Sequence, residues 1–189
     1  MKKIISITSM LILFCITHLN AQTEAEMKAW QTYMTPGDVH KMMEKSAGDW
    51  IDDISMWMDP SAPPTKATTN SKNEMIMGGR YLVSKSTGDI MGMPFEGMSL
   101  MGYDNAKKIF TSTWVDNFGT GTITMTGTWD DNSKSINFTG MGTDPMTGKD
   151  MKMRQVMKFV DDDTMEIQMF DNKTGTEVKS MEMKSRRKK

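Results

Sequence analysis

The residues that usually carry chemistry are scarce in this chain. Its one cysteine is Cys15 and its two histidines are His18 and His40. A thiolate nucleophile or a zinc site needs more than that. A His-x-x-x-His metal pair and a Gly-x-Ser-x-Gly elbow are both missing from the sequence. Gly142 to Lys149 has glycines and a lysine, but not at phosphate-loop spacing, and Asp150 stands where Ser or Thr is needed. Gly119-Thr120-Gly121 lacks the third glycine of a dinucleotide site. What remains are single polar residues in strand-like runs: Arg80, Glu96, Ser112, Asp116 and Arg154. Glu96 and Asp116 are the candidate general bases, with no nucleophile beside them in the pattern. His40, near a predicted helix start, is expected to be exposed or half-packed.

Methionine is the unusual residue, 24 of 189. Five Met-x-Met pairs occur: Met56/Met58, Met75/Met77, Met91/Met93, Met151/Met153 and Met181/Met183. Residues two apart in a strand share a face, so each pair presents two thioethers together. Soft thioethers suit Cu(I). They also replace Leu and Val in a deformable core or cavity lining. Metal binding would require several pairs side by side on one face, whereas packing requires only the alternation. The expectation is packing, with no stoichiometric Cu(I). The acidic groups Asp130-Asp131 and Asp161-Asp162-Asp163 could supply oxygens to calcium, but they lack a distal bidentate Glu at loop spacing and read as turns. No metal or cofactor is expected.

The elements that must position these residues begin after a leader. Met1-Lys2-Lys3 is basic, Ile4 to Leu19 is mostly apolar and uncharged, and Ala21 precedes Gln22. That is the layout of a secretory signal peptide, residues 1–21, cut after Ala21. Phe14 before Cys15 argues against lipid modification there. The expected location is periplasmic or secreted, with no transmembrane segment in the mature chain. Cleavage removes Cys15, so an exported chain without disulfides must rely on its own core. The net charge of −1 for the whole chain argues against a nucleic-acid partner.

Residues 22–37 read as a polar lead. Asp38 could cap a helix running to Ala47, with Val39, Met42 and Met43 on one face and Gly48 at its end. Period-2 alternation follows, broken by turn residues, and predicts strands over 49–58, 66–77, 80–87, 94–103, 108–116, 121–130, 134–141, 149–160, 163–170 and 175–185. Links this short make successive antiparallel hairpins. An up-and-down meander of about ten strands closes into a barrel, which removes exposed edges and can hold one small ligand. The fold class is therefore all-β, an antiparallel barrel after a short N-terminal helix. The domain spans 38–185, and 186–189 reads as a solvated basic tail.

Several motifs together resemble a known family. They are Gly78-Gly79-Arg80-Tyr81-Leu82, Met91-Gly92-Met93-Pro94-Phe95-Glu96-Gly97, Gly102-Tyr103-Asp104-Asn105, Ser112-Thr113-Trp114-Val115-Asp116 and Thr143-Asp144-Pro145-Met146-Thr147-Gly148. In this order, between about His40 and Lys184, they resemble the bacterial family called domain of unknown function 1579. The resemblance implies a calycin-like barrel and brings no activity, cofactor or catalytic residue with it. Gly48-Asp49-Trp50 is similar to the Gly-x-Trp opening of lipocalins. That likeness implies a tryptophan closing one barrel end under a basic residue of the last strand, here Arg186 or Arg187.

The functional expectation is a binding module for a small apolar ligand. Its candidate lining is Trp50, Met98, Leu100, Phe110 and Trp114, with Arg80, Glu96 and Asp116 orienting the ligand. The rivals are an enzyme using Glu96 or Asp116 as base, and a structural, envelope-associated barrel with a filled core. Oligomeric state is left open.

Overall fold

The computed structural model describes residues 23–172 and 175–189. The expected leader, with Cys15, His18 and the cut after Ala21, lies outside the described residues. Residues 23–34 are helical (α1) and belong to a compact unit that ends at Thr35. Pro36–Lys189 forms a second unit, described by itself below. Among the described residues no helix is long and apolar enough to cross a membrane.

Helix α2 runs Asp38–Glu44. Its N-cap is Gly37, one residue before the expected Asp38. The Gly37 N–H donates to Nδ1 of His40 at 3.1 Å, so a ring three residues on satisfies a donor next to the helix start. His40 is buried, not exposed or half-packed as its position suggested, with its ring edge-on to Tyr103 at 6.0 Å. Met43 on the same helix is fully buried.

Ten strands follow: β1 (Gly48–Met56), β2 (Thr65–Ile76), β3 (Tyr81–Ile90), β4 (Met93–Asp104), β5 (Ile109–Asp116), β6 (Ile123–Asp130), β7 (Ser135–Thr143), β8 (Asp150–Asp161), β9 (Thr164–Asn172) and β10 (Val178–Arg187). Each pairs antiparallel with its neighbours in sequence, and β10 returns to β1, closing the barrel. Every expected strand is present, displaced at its ends by three residues or fewer. The last one runs to Arg187, so Arg186 and Arg187 are strand residues and the basic tail shrinks to Lys188-Lys189.

Register fixes the faces. Trp50, Ser71, Ser86, Gly97, Trp114, Ile123 and their even-spaced companions point inward. Small inward residues receive large neighbours: a Cβ on Gly97 would stand 2.5 Å from the Trp114 ring, and one on Gly127 2.7 Å from Phe138. This exchange of small for large lets rings fit a closed cylinder. One buried cluster runs from under α2 down the barrel: Met43, Leu82, Met101, Phe110, Met125, Ile136, Phe138, Met151 and Met153, each contributing about 1.5–3 kcal/mol if fully buried.

The α2 end is locked by a residue of the last strand that reaches across to the end of the helix. Trp50 is 1% exposed and donates its indole N–H to the Ser46 carbonyl at 2.9 Å. The Arg187 guanidinium lies over the Trp50 ring, 4.3 Å from its centroid. It also donates to the carbonyls of Ala47 and Lys45 at 2.6 Å and of Asp162 at 2.8 Å. Of the two arginines, Arg187 therefore takes the closing position. Arg186 points out and pairs with Asp53 at 2.6 Å.

Candidate functional site

The concave surface of the barrel unit lies between α2 and the strand ends it only partly covers. A cavity of about 440 Å³ is lined by Val39 and Met42 of α2, Tyr103 of β4, Phe110 of β5 and Trp129 of β6. A second, of about 200 Å³, continues past Met42 and Trp129 to Trp50, Phe159 and Met165. Both are walled by the same two side chains, so they form neighbouring halves of one aromatic cleft.

Local sequence explains the walls. Phe110 and Trp129 are inward residues of β5 and β6, one at the start of its strand and one at the end, so both stand at the same mouth. Tyr103 sits opposite Phe110 in register, with ring centroids 4.9 Å apart. Trp129 leans on Phe159 at 5.8 Å and donates its N–H to Asp131 at 2.9 Å. The rim is mixed in charge: Lys108 and Asp38 on the larger cavity, Lys45, Lys134, Asp161 and Asp162 on the smaller. Lys134 is drawn toward Asp131 at 3.5 Å, whereas Lys45 and Lys108 make no ion pair among the described residues. A cleft of this size, apolar in its walls and polar at its edge, is suited to a small ligand.

Of the residues expected to line a site, the structure brings only Trp50 and Phe110 to this cleft. Arg80 lies at the same end, in the β2–β3 turn, where its guanidinium donates to the Met77 carbonyl at 3.0 Å. Glu96, Met98 and Leu100 share a face as expected, but that face is the outside of the barrel. All three are exposed, Met98 at 42% and Leu100 at 40%. Alternation gave their common side; only the β4 register with β3 and β5 shows that it is the solvent side. Trp114 and Asp116 face inward at the opposite end. There the Trp114 N–H donates to Asp116 at 2.6 Å. The other carboxylate oxygen of Asp116 accepts the N–H groups of Phe118 and Gly119, at 2.9 and 3.1 Å. That carboxylate organises a turn.

The acidic groups behave similarly. Asp130 accepts from Asn132 N–H and Ser133 hydroxyl, which hold its carboxyl below the usual range, hydroxyl contact first. Asp161 accepts the Asp163 N–H at 2.9 Å. Among the described residues no three His, Cys, Asp or Glu side chains come together as metal ligands. His40 sits behind Tyr103 and is held below its ordinary pKa, first by burial and then by the nearby Arg80 guanidinium.

Sequence reasoning missed Tyr103, Trp129, Phe159 and Met42 as cleft residues. Tyr103 and Trp129 end their strands, where alternation gives way to turns, and a helix face says nothing about which strand ends it leaves uncovered.

Comparison with known proteins agrees with the architecture. The solved structure of Rv2717c from M. tuberculosis superposes with a TM-score of 0.62 at 12% identity, covering 82% of this chain and 100% of that one. At that identity the likeness is one of fold. No curated protein matches the chain. The sequence profile of the family described as "Protein of unknown function (DUF1579)" matches residues 35–187, the whole barrel unit with its capping helix, and the chain belongs to that family.

Proposed function

We propose that the protein is exported and binds a small, mainly apolar ligand in the aromatic cleft beside α2. The observation that carries this reading is the cavity of about 440 Å³ walled by Val39, Met42, Tyr103, Phe110 and Trp129. Apolar walls supply the driving force, and Lys45 and Lys108 at the rim can meet an acidic or hydrogen-bonding group. Met42 adds deformability where the two halves of the cleft meet, which favours a class of ligands over one tight fit.

A polyaromatic fluorescent probe and a fluorescent fatty acid test the reading directly. Binding at micromolar concentration is expected, with at least a tenfold loss in Met42→Glu, which puts a charge on the shared wall; because Met42 also packs against the buried cluster, circular dichroism must show the variant folded. Binding that ignores Met42→Glu, or no binding at all, overturns it. Export is checked separately: N-terminal sequencing of material recovered outside the cytoplasm should begin at Gln22.

A further inference from the structure

We propose that Met56, Met169 and Met181 form a thioether site for a monovalent soft metal ion, Cu(I), in the half of the barrel interior remote from α2. The sequence asked for several Met-x-Met pairs side by side on one face; register aligns no such set of pairs, but it does bring three single methionines from different strands into one row. β9, β10 and β1 are consecutive around the barrel, Met169 stands opposite Met181, and Met181 stands opposite Met56. All three are on the inward face, since Met181 alternates in step with the buried Ser185, and Met56 with the buried Trp50 and Asp52.

Residues directly opposed in an antiparallel pair have Cβ atoms about 4.5–5.5 Å apart. A methionine has three rotatable bonds beyond the backbone and can swing its sulfur toward either neighbour. The middle residue, Met181, is thus within reach of both others, and the three sulfurs can turn to one point. Met183 lies two residues on along the same face, opposite Ile167. Each of the three is half-buried, so an ion can reach the row while the barrel wall shields it.

Donor chemistry sets the class of metal. Three neutral thioethers favour Cu(I) and offer nothing to Mg²⁺ or Ca²⁺, which need oxygen ligands. No electron transfer is required, since the ion enters and stays as Cu(I). Composition does not carry the argument, because methionine is also found on the outer face, as at Met98 and Met141. The adjacency of these three does. The row is not part of the lining of the aromatic cleft, so the two proposals stand or fall separately.

The test is an anaerobic titration of the purified protein with Cu(I) in competition with a chromophoric Cu(I) chelator. One equivalent is expected to bind. Met181→Leu should weaken it at least tenfold, while Met98→Leu and Met141→Leu leave it unchanged. Leucine conserves volume, so the variants should fold, and circular dichroism checks this. A second measurement needs no variant: with ¹³C-methyl methionine, one equivalent of redox-inert Ag(I) should shift three methyl resonances together. Absence of uptake, equal loss in the outward controls, or uptake indifferent to Met181→Leu overturns the proposal.

Discussion

The two ends of the barrel are made from the same alternating strands, yet they differ in what closes them. At the α2 end, Trp50, Phe110, Met125 and Phe138 are buried at 4% or less and an arginine from the last strand ties helix, loop and first strand together. At the other end Trp114 is only half-buried, stacked on Phe95 at 6.4 Å, with Phe118 edge-on to Phe95 at 5.3 Å. The turns there carry exposed apolar tips, Met58, Met91, Phe118 and Met146. Strand pairing alone makes a cylinder. Sealing an end takes an element from outside the sheet, and one short helix seals one end incompletely, which leaves the aromatic cleft.

Large truncations test this contrast most strongly. Trp50→Ala should cost about 3–5 kcal/mol in urea unfolding, the range for a fully buried aromatic. Trp114→Ala, at the looser end, should cost about 2 kcal/mol, below that range because part of its ring is already in water. Equal losses would mean the two ends are packed alike.

Next in size is the lock. Arg187→Ala removes a cation–π contact and several hydrogen bonds to carbonyls and should cost about 2 kcal/mol. Its neighbour Arg186→Ala breaks only the surface pair with Asp53 and should cost less than about 1 kcal/mol. If the two variants melt together, the lock is not what holds the helix end.

A smaller effect concerns acid. The folded chain holds His40 below its unfolded pKa near 6.5, and its Nδ1 must stay unprotonated to accept the Gly37 N–H. The unfolded chain therefore takes up the proton first. Stability from this group is complete above about pH 6.5 and is lost as pH falls toward the lower folded value. His40→Gln keeps an acceptor for Gly37 without titrating, and should flatten the stability profile below about pH 6.5 relative to the parent chain. An unchanged slope would place the acid sensitivity elsewhere.

The smallest effects belong to the outer wall. Leu100→Ser should change stability by less than about 0.5 kcal/mol, since the side chain is exposed. A cost of several kcal/mol would show that this face is covered in solution.

These contrasts also mark how far the sequence could be read. Strand number, order and closure followed from alternation and turn residues, because both are local signals. The closing role of Trp50 was legible from Gly-x-Trp, and the structure assigned its partner as Arg187 over Arg186. Inside against outside was not legible for β4: Met98 and Leu100 look like core by type, and Ser99 between them is the inward residue. Nor was the methionine row, since sharing a face along one strand says nothing about which residue of the next strand lies opposite. Part of that register depends on an irregularity between Lys179 and Met181, where Ser180 is an extra residue in β10. Pattern reading carries no sign of it.

The exchange of Gly97 for Trp114 has a consequence for the placing of the ring. With no Cβ on Gly97, the Cζ2–Cη2 edge of the Trp114 indole occupies the space against β4 that a side chain there would need. The seat of the ring is thus set by a residue that has no side chain of its own. A single methyl group at position 97 would stand 2.5 Å from Trp114 Cζ2 and Cη2, so the ring would have to leave its seat.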